Sequence, residues 1–231
     1  MDQNTTYQEV SKASEQTTRK FIIKVYAWMT LALIITGVTG LFVVSSPVLL
    51  DLIFSSRIIF FGLLIAEFGL VIYLSRKIFS MSATAAKLWF VLYAVLNGVT
   101  LASIFLIYDI GTVGYAFLVT ATLFGVMSLY GYLTKTDLTA IGNLMIMGLF
   151  GVIIASVFNI FYRSDALSLV LTYVGVFIFI GLIGYDTQRI KALSTTQDDT
   201  KQVNASIIGA LILYLDFINL FIRLVRLIGR K

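Results

Sequence analysis

Three acidic residues interrupt the apolar segments of this chain. Asp216 lies in the middle of the last apolar segment, Asp186 lies where the preceding segment ends, and Glu67 lies within the second segment. An ionised carboxylate is unfavourable in hydrocarbon unless it is paired, hydrogen-bonded or protonated. These residues are therefore the first candidates for proton or cation chemistry.

The residues that are missing narrow this chemistry. The chain has no histidine and no cysteine, which excludes thiol catalysis, Ser-His-Asp hydrolysis, and zinc or haem sites built on those ligands. It also lacks a Walker loop and a GxGxxG fingerprint. Proteolysis by an aspartate pair stays open, since two close carboxylates that share a proton can activate water. However, GYDTQR and LYLDFIN lack the GxGD context of such proteases. We expect no enzyme and no tightly bound cofactor.

Without histidine, a response to pH near neutrality must come from carboxylates. A pair such as Asp186 and Asp216 would take up a proton in the physiological range. When ionised, the same oxygens suit a hard cation such as Ca²⁺, although two carboxylates fall short of the about six to eight ligands of a tight site. We therefore expect weak Ca²⁺ binding at Asp186 and Asp216, suited to an ion in transit.

The composition identifies the elements that must position these acids. Of the 231 residues, 59% are hydrophobic, 13% are charged and one is proline, which is not the composition of a soluble domain. A helix needs about 20 apolar residues to cross a bilayer, and continuous runs of that length exclude β-barrel strands. The runs predict membrane helices at 21–44, 58–75, 86–108, 113–133, 140–162, 167–186 and 207–227.

These spans predict an all-α membrane protein, a seven-transmembrane helix bundle with helix seven at its centre. Residues 1–20 form a polar cytoplasmic tail without the features of a removable signal peptide, and residues 21–231 form one transmembrane domain. In the seventh segment, Asp216, Asn219, Arg223 and Arg226 share one helical face. An amphipathic helix on the membrane surface is an alternative. A lone acid among leucines and phenylalanines favours the bundle interior.

Lysine and arginine in the short loops predict the orientation, because they concentrate on the cytoplasmic side. With a cytoplasmic N-terminus, the opposite loops receive only Arg57 and Arg163. Four basic residues that follow or end the seventh segment would lie outside, against the same rule: Arg223, Arg226, Arg230 and Lys231. The cytoplasmic side receives eleven: Lys12, Arg19, Lys20, Lys24, Arg76, Lys77, Lys87, Lys135, Arg189, Lys191 and Lys201.

Depth along the helices predicts which residues can meet. At about 1.5 Å per residue, Asp216 lies about 14 Å deep, whereas Asp186 lies at the cytoplasmic helix end, level with Arg76. Glu67 is near the depth of Asp216. Together these side chains predict a polar route through half of the bilayer, although the simple estimate leaves Asp186 and Asp216 apart. Alternatives are that Arg76 is a plain basic flank, that Asp186 is a solvated boundary residue, and that Glu67 is a neutral acid bonded to a neighbouring helix.

Four motifs resemble the Bax inhibitor-1 family of membrane proteins. They are NGVTL at residues 97–101, FNIF at 158–161, GYDTQRIK at 184–191 and LYLDFINLFIRLVR at 213–226. The match covers essentially the whole membrane region, and the last two motifs are the specific ones. The resemblance implies six helices around a central seventh, and a pH-sensitive passive leak of Ca²⁺.

The resemblance also assigns roles to residues. Asp186 and Asp216 match the proton-sensing pair that gates the leak, and Arg76 matches the arginine that latches it, with Lys77 as the alternative. Glu67 matches an acid of the second helix, and the polar route continues through Asn219 and Arg223. The expected partners are the lipid bilayer and Ca²⁺, with no nucleic acid, and the expected location is a bacterial inner membrane. An alternative function is a membrane interaction protein that regulates a membrane-bound protease or a cell-death or stress response.

Overall fold

The computed structural model of the protein describes residues 3–195 and 199–230. This part of the chain is helical and contains no β-strand. Its α-helices are α1 (Gln3–Ser45), α2 (Pro47–Phe54), α3 (Arg57–Lys77), α4 (Ala83–Ile107), α5 (Ile110–Leu133), α6 (Thr139–Tyr162), α7 (Asp165–Ala192) and α8 (Asp199–Ile228). Short 3-10 turns, Ile78–Ser80 and Leu193–Thr195, follow α3 and α7.

Seven of these helices are long and apolar enough to cross a membrane. The exception is α2, whose eight residues would cover only about 12 Å. Each of the seven coincides with a segment predicted from the sequence, including the last, which is continuous from Thr200 to Ile228. The prediction of an all-α, seven-helix membrane protein is therefore confirmed.

The last helix differs from the others in burial. Of its most apolar stretch, 72% is buried inside the protein, against 6% to 44% in the other six spans. A helix that lay on the membrane surface would not be enclosed in this way, because one of its faces would be open to water. The central position of α8 stays a prediction, and this burial supports it.

The sequence did not predict α2. Ser46 starts this helix, since its hydroxyl accepts a hydrogen bond from the Leu49 amide, and Pro47 occupies the first helical position, where its missing N–H is not needed. The helix is too short for a membrane span, so a search for long apolar runs passes over it. Its Ile53 packs with Val43 and Ala102 in a buried apolar cluster.

The chain divides into two compact units. The first comprises Met1–Leu106 and Ile190–Leu211, and the second comprises Ile107–Arg189 and Ile212–Lys231. Both α7 and α8 therefore contribute to each unit. In the first unit, α1 and α4 approach closely: a methyl group on Gly98 would lie 2.6 Å from the Thr36 carbonyl oxygen, and the Thr36 hydroxyl donates to the Ala94 carbonyl at 2.9 Å.

In the second unit, α5 and α7 approach backbone to backbone. A methyl group on Gly131 would overlap the Gly184 carbonyl oxygen, so the two helices meet this closely only because Gly131 lacks a side chain. Aromatic rings join α5 to α8 as well. Phe217 lies 5.4 Å from Phe117 and 5.6 Å from Phe124 between ring centroids. This unit carries the two aspartates.

Candidate functional site

Asp186 lies inside α7, not at its end. The apolar run stops at Asp186, which suggested a helix boundary, but the helix continues for six residues to Ala192. It continues because the following turn is packed: Thr187 and Ile190 are each 1% exposed. The drop in hydropathy after Asp186 therefore marks where the side chains become more polar, and it does not mark the end of the helix.

Asp186 and Asp216 are in contact. Their carboxyl groups share a hydrogen bond, and the side chains are only 9% and 5% exposed. A hydrogen bond between two carboxyl groups needs a proton on one of them, so this bond forms only while the pair holds a proton. The second oxygen of Asp216, Oδ2, has no hydrogen-bond partner among the described residues.

The depth estimate that separated these aspartates was wrong because it misplaced both helix ends. In the first unit, Gly209 of α8 packs against Ile190 of α7. A methyl group added to Gly209 would lie 3.0 Å from Ile190 Cγ2. Ten residues of α8 precede Gly209, whereas only two residues of α7 follow Ile190. The start of α8 thus extends well past the end of α7, and Asp216 is brought to the level of Asp186.

The residues that follow Asp186 fix its helix against α5 and the α5–α6 loop. The Thr187 hydroxyl is hydrogen-bonded to the Ser128 hydroxyl at 3.0 Å. The Gln188 amide accepts from the Leu138 N–H and donates to the Thr136 carbonyl, both at 2.9 Å. These bonds restrict rotation and sliding of α7, so the Asp186 carboxyl is held at one position.

Glu67 forms a separate polar cluster in the first unit. Its carboxylate accepts a hydrogen bond from the Asn97 side-chain amide, and its other oxygen accepts one from the Thr100 hydroxyl at 2.9 Å. Asn97 and Thr100 belong to the NGVTL motif, which was noticed in the sequence but given no role. Glu67 is therefore hydrogen-bonded to the neighbouring helix α4, and its neutral state stays a prediction. Its part in a polar route stays a prediction.

Comparison with known proteins establishes the family. The model for the family described as inhibitor of apoptosis-promoting Bax1 matches residues 18–231. The chain belongs to the Bax inhibitor-1 family. The inner membrane protein YbhL of Escherichia coli strain K12 is 43% identical over 214 residues, which cover 91% of this chain and 92% of that protein. An uncharacterized protein of Borreliella burgdorferi is 42% identical over 214 residues, covering 92% of each chain.

Family membership confirms the resemblance carried by the four motifs. Together with the seven apolar helices, it makes this Bax inhibitor-1 family member an integral membrane protein. YbhL is named an inner membrane protein, in agreement with the predicted kind of membrane. A cytoplasmic N-terminus stays a prediction.

The predicted latch lies in the other unit from the aspartates. Arg76 and Lys77 occupy the last turn of α3, and both are exposed. The Asn204 side chain secures the turn after them: it is fully buried, and its amide donates to the carbonyls of Ile78 and Met81 at 2.8 and 2.9 Å. The latch assignment stays a prediction for both residues.

Asn219 and Arg223 continue the polar face of α8. The Asn219 amide donates to the Leu215 carbonyl of its own helix at 2.8 Å. The Arg223 guanidinium donates to the Leu171 carbonyl at 3.0 Å, lies 5.4 Å from the Phe179 ring centroid and packs on Gly175. Two residues of this face, Asp216 and Arg223, therefore contact α7.

Arg189 was predicted from the sequence only as one of the basic residues on the cytoplasmic side. It lies three residues after Asp186 in α7, is exposed, and acts electrostatically on the Asp186 carboxylate. Residues three apart on a helix are neighbours, so the motif GYDTQR already indicates that Arg189 lies beside Asp186.

The described part of the chain contains no group of three or more acidic residues that could hold a metal ion.

Proposed function

We propose that this Bax inhibitor-1 family member is a passive, pH-sensitive Ca²⁺ leak channel in which Asp186 and Asp216 are the proton sensor and gate. The observation that supports this best is the buried, hydrogen-bonded carboxyl pair. It is the arrangement in which one proton decides between a tightly joined pair and two carboxylates that repel each other.

The proton number of the pair sets its charge. With two protons the pair is neutral, with one it is the hydrogen-bonded anion, and with none it carries two negative charges in a nearly dry site. A change of one charge at this depth alters the contact between α7 and α8 and any attraction to a cation. In this proposal Arg76 is the cation that latches the ionised pair, and protonation releases the latch.

The same oxygens would bind Ca²⁺ in passing. Asp216 Oδ2 has an open lone pair in the site, and two carboxylates offer fewer ligands than the about six to eight of a tight Ca²⁺ site. Backbone carbonyls and water would have to complete the shell. Weak binding of this kind suits conduction, because an ion must leave its site as readily as it enters.

Ca²⁺ flux into liposomes that contain the purified protein and a trapped indicator tests the proposal. Between about pH 8 and about pH 6, flux should rise as pH falls, by up to about tenfold per pH unit if one proton governs the gate. Asp216→Asn and Asp186→Asn should each alter the pH dependence of the flux, since each variant replaces one of the two titrating carboxyl groups with an amide that does not titrate.

Asp137→Asn is the matched control. Asp137 is fully exposed in the α5–α6 loop, and hydrogen bonds from Thr139 hold the pKa of its carboxyl below its usual range. Asparagine keeps the acceptor for the Thr139 amide, so this variant should retain the wild-type pH profile. Flux no higher than in protein-free vesicles at every pH would overturn the channel, and unchanged pH profiles in both site variants would overturn the sensor.

A further inference from the structure

A polar cavity of about 460 Å³ lies in the second unit, where α7 begins and α8 ends. Its volume falls in the range of small-molecule sites. Arg226 and Arg230 line it from the end of α8, and Asp165, Ser168 and Thr172 line it from the start of α7. Tyr108, Leu169 and Leu227 complete the lining. None of these side chains takes part in the aspartate pair.

The lining contains more positive than negative charge. Arg226 and Arg230 are four residues apart, a spacing that places two like charges side by side, and Asp165 is the only acid of the lining. Arg223, a turn before Arg226, adds a third cation that acts on Arg226 electrostatically. An anion held between the two guanidinium groups would relieve this repulsion, and guanidinium forks match phosphate oxygens in geometry.

The position of the cavity identifies where such an anion comes from. The site lies at the ends of two helices that are long and apolar enough to cross a membrane, which is where lipid headgroups are expected, and it combines a tyrosine with two leucines. Tyrosine is favoured at that depth, and the leucines offer contact to glycerol and acyl carbons. Lipid phosphate is present there continuously, whereas a soluble anion would have to enter from water.

The basic end of the chain supports the same reading. Under the predicted orientation, Arg226 and Arg230 lie on the side of the membrane that lysine and arginine avoid. A bound anionic lipid would neutralise them. Polar groups of α7 then face the remainder of the headgroup: Asp165 can only accept hydrogen bonds, and the Thr172 hydroxyl already donates to the Ser168 carbonyl at 2.7 Å, which leaves its oxygen to accept. Such acceptors suit a hydroxylated headgroup.

We propose that this cavity binds an anionic phospholipid with a glycerol headgroup, with the phosphodiester between Arg226 and Arg230 and the headgroup hydroxyls at Asp165. The structure assigns the cavity to phosphate ester chemistry, and its place at the bilayer surface selects lipid over free phosphate as the source.

Thermal unfolding of the purified protein in an uncharged detergent tests the site. Added phosphatidylglycerol should raise the unfolding temperature in a saturable way, because a ligand that binds the folded state stabilises it, and phosphatidylcholine should not. Arg226→Gln combined with Arg230→Gln should increase the lipid concentration for half of the effect by about tenfold or more, the loss expected from charge-assisted hydrogen bonds.

Arg57→Gln combined with Lys135→Gln is the control. Both residues are exposed and neither lines the cavity, so the same loss of charge should leave the lipid response unchanged. A response that survives in the Arg226 and Arg230 variant, or that disappears in the control, overturns the site. An equal rise with inorganic phosphate at the same concentration overturns the lipid assignment.

The role of Asp165 is tested with phosphatidylmethanol, which has the same phosphodiester but no headgroup hydroxyl. Wild-type protein should respond to phosphatidylglycerol at a several-fold lower concentration than to phosphatidylmethanol. In Asp165→Ala, the two lipids should reach half of their effect at similar concentrations, and the effect of both should still depend on Arg226 and Arg230. An unchanged ratio in Asp165→Ala overturns the placement of the glycerol hydroxyls.

Discussion

At the scale of single residues, the most informative atom is Oδ2 of Asp216. It belongs to a carboxyl group that is 5% exposed, and no described residue donates a hydrogen bond to it. An acceptor buried without a partner is unfavourable by about 1–3 kcal/mol. The unpaired oxygen of Asp216 is therefore a position where a proton or a cation can bind. For this reason the proposed function is assigned to the aspartate pair.

The charge of Arg189 should tune the pair. An exposed cation one turn from Asp186 stabilises the ionised form by about 0.2–0.5 kcal/mol, so Arg189→Gln should move the pH midpoint of protonation upward by about 0.2–0.4 units. The infrared band of protonated carboxyl groups, followed against pH and corrected with the spectrum of Asp216→Asn, measures that midpoint without any flux assay.

Lys135→Gln is the comparison for this experiment, since it removes an exposed cation from the α5–α6 loop. It should leave the midpoint where it is, and added salt should diminish the difference between wild type and Arg189→Gln. A midpoint that is the same in wild type and Arg189→Gln at low salt would show that this arginine has no influence on the pair.

At the scale of elements, the α5–α7 contact holds the helix that carries Asp186. Gly131→Ala places a methyl group on the Gly184 carbonyl oxygen, and neither backbone can move without disturbing the Ser128–Thr187 hydrogen bond three residues away. Overpacking of this kind costs about 1–3 kcal/mol. The variant should therefore unfold at lower temperature, and the pH midpoint of the carboxyl band should shift as well.

Gly125→Ala, in the same helix, gives the opposite expectation. An added methyl group there meets no atom within 4 Å, and alanine is favoured over glycine in a helix by about 1 kcal/mol. Its unfolding temperature should equal or exceed that of wild type. If the two variants unfold alike, the close backbone contact at Gly131 is not what fixes α7.

The elements also show what the sequence can and cannot predict. Seven spans were predictable because a run of apolar residues is a local property of the chain. The short helix α2, the extension of α7 to Ala192 and the early start of α8 were missed, because each depends on packing or capping after the hydropathy signal has ended. The same errors separated Asp186 from Asp216. Asp216 was identified correctly as a buried acid, whereas a solvated boundary stayed an alternative for Asp186, and the contact of the two depends on how far α8 overlaps α7.

At the scale of the whole molecule, the two units divide α7 and α8 between them. The candidate residues are divided in the same way. The aspartate pair and the basic cavity lie in the second unit, whereas Glu67 and the predicted latch at Arg76 lie in the first. A gate in which Arg76 latches the aspartate pair would require residues of both units.

The orientation of the whole chain is open to a direct test, because the protein contains no cysteine and single cysteines can be introduced one at a time. The positive-inside rule places the loops rich in lysine and arginine in the cytoplasm. Ser55→Cys, between α2 and α3, should therefore react with a membrane-impermeant maleimide in intact spheroplasts. Thr136→Cys, between α5 and α6, should react only after the membrane is permeabilised. Both positions are exposed, so both should label in detergent, and the reverse pattern in spheroplasts would place the N-terminus and the basic loops outside.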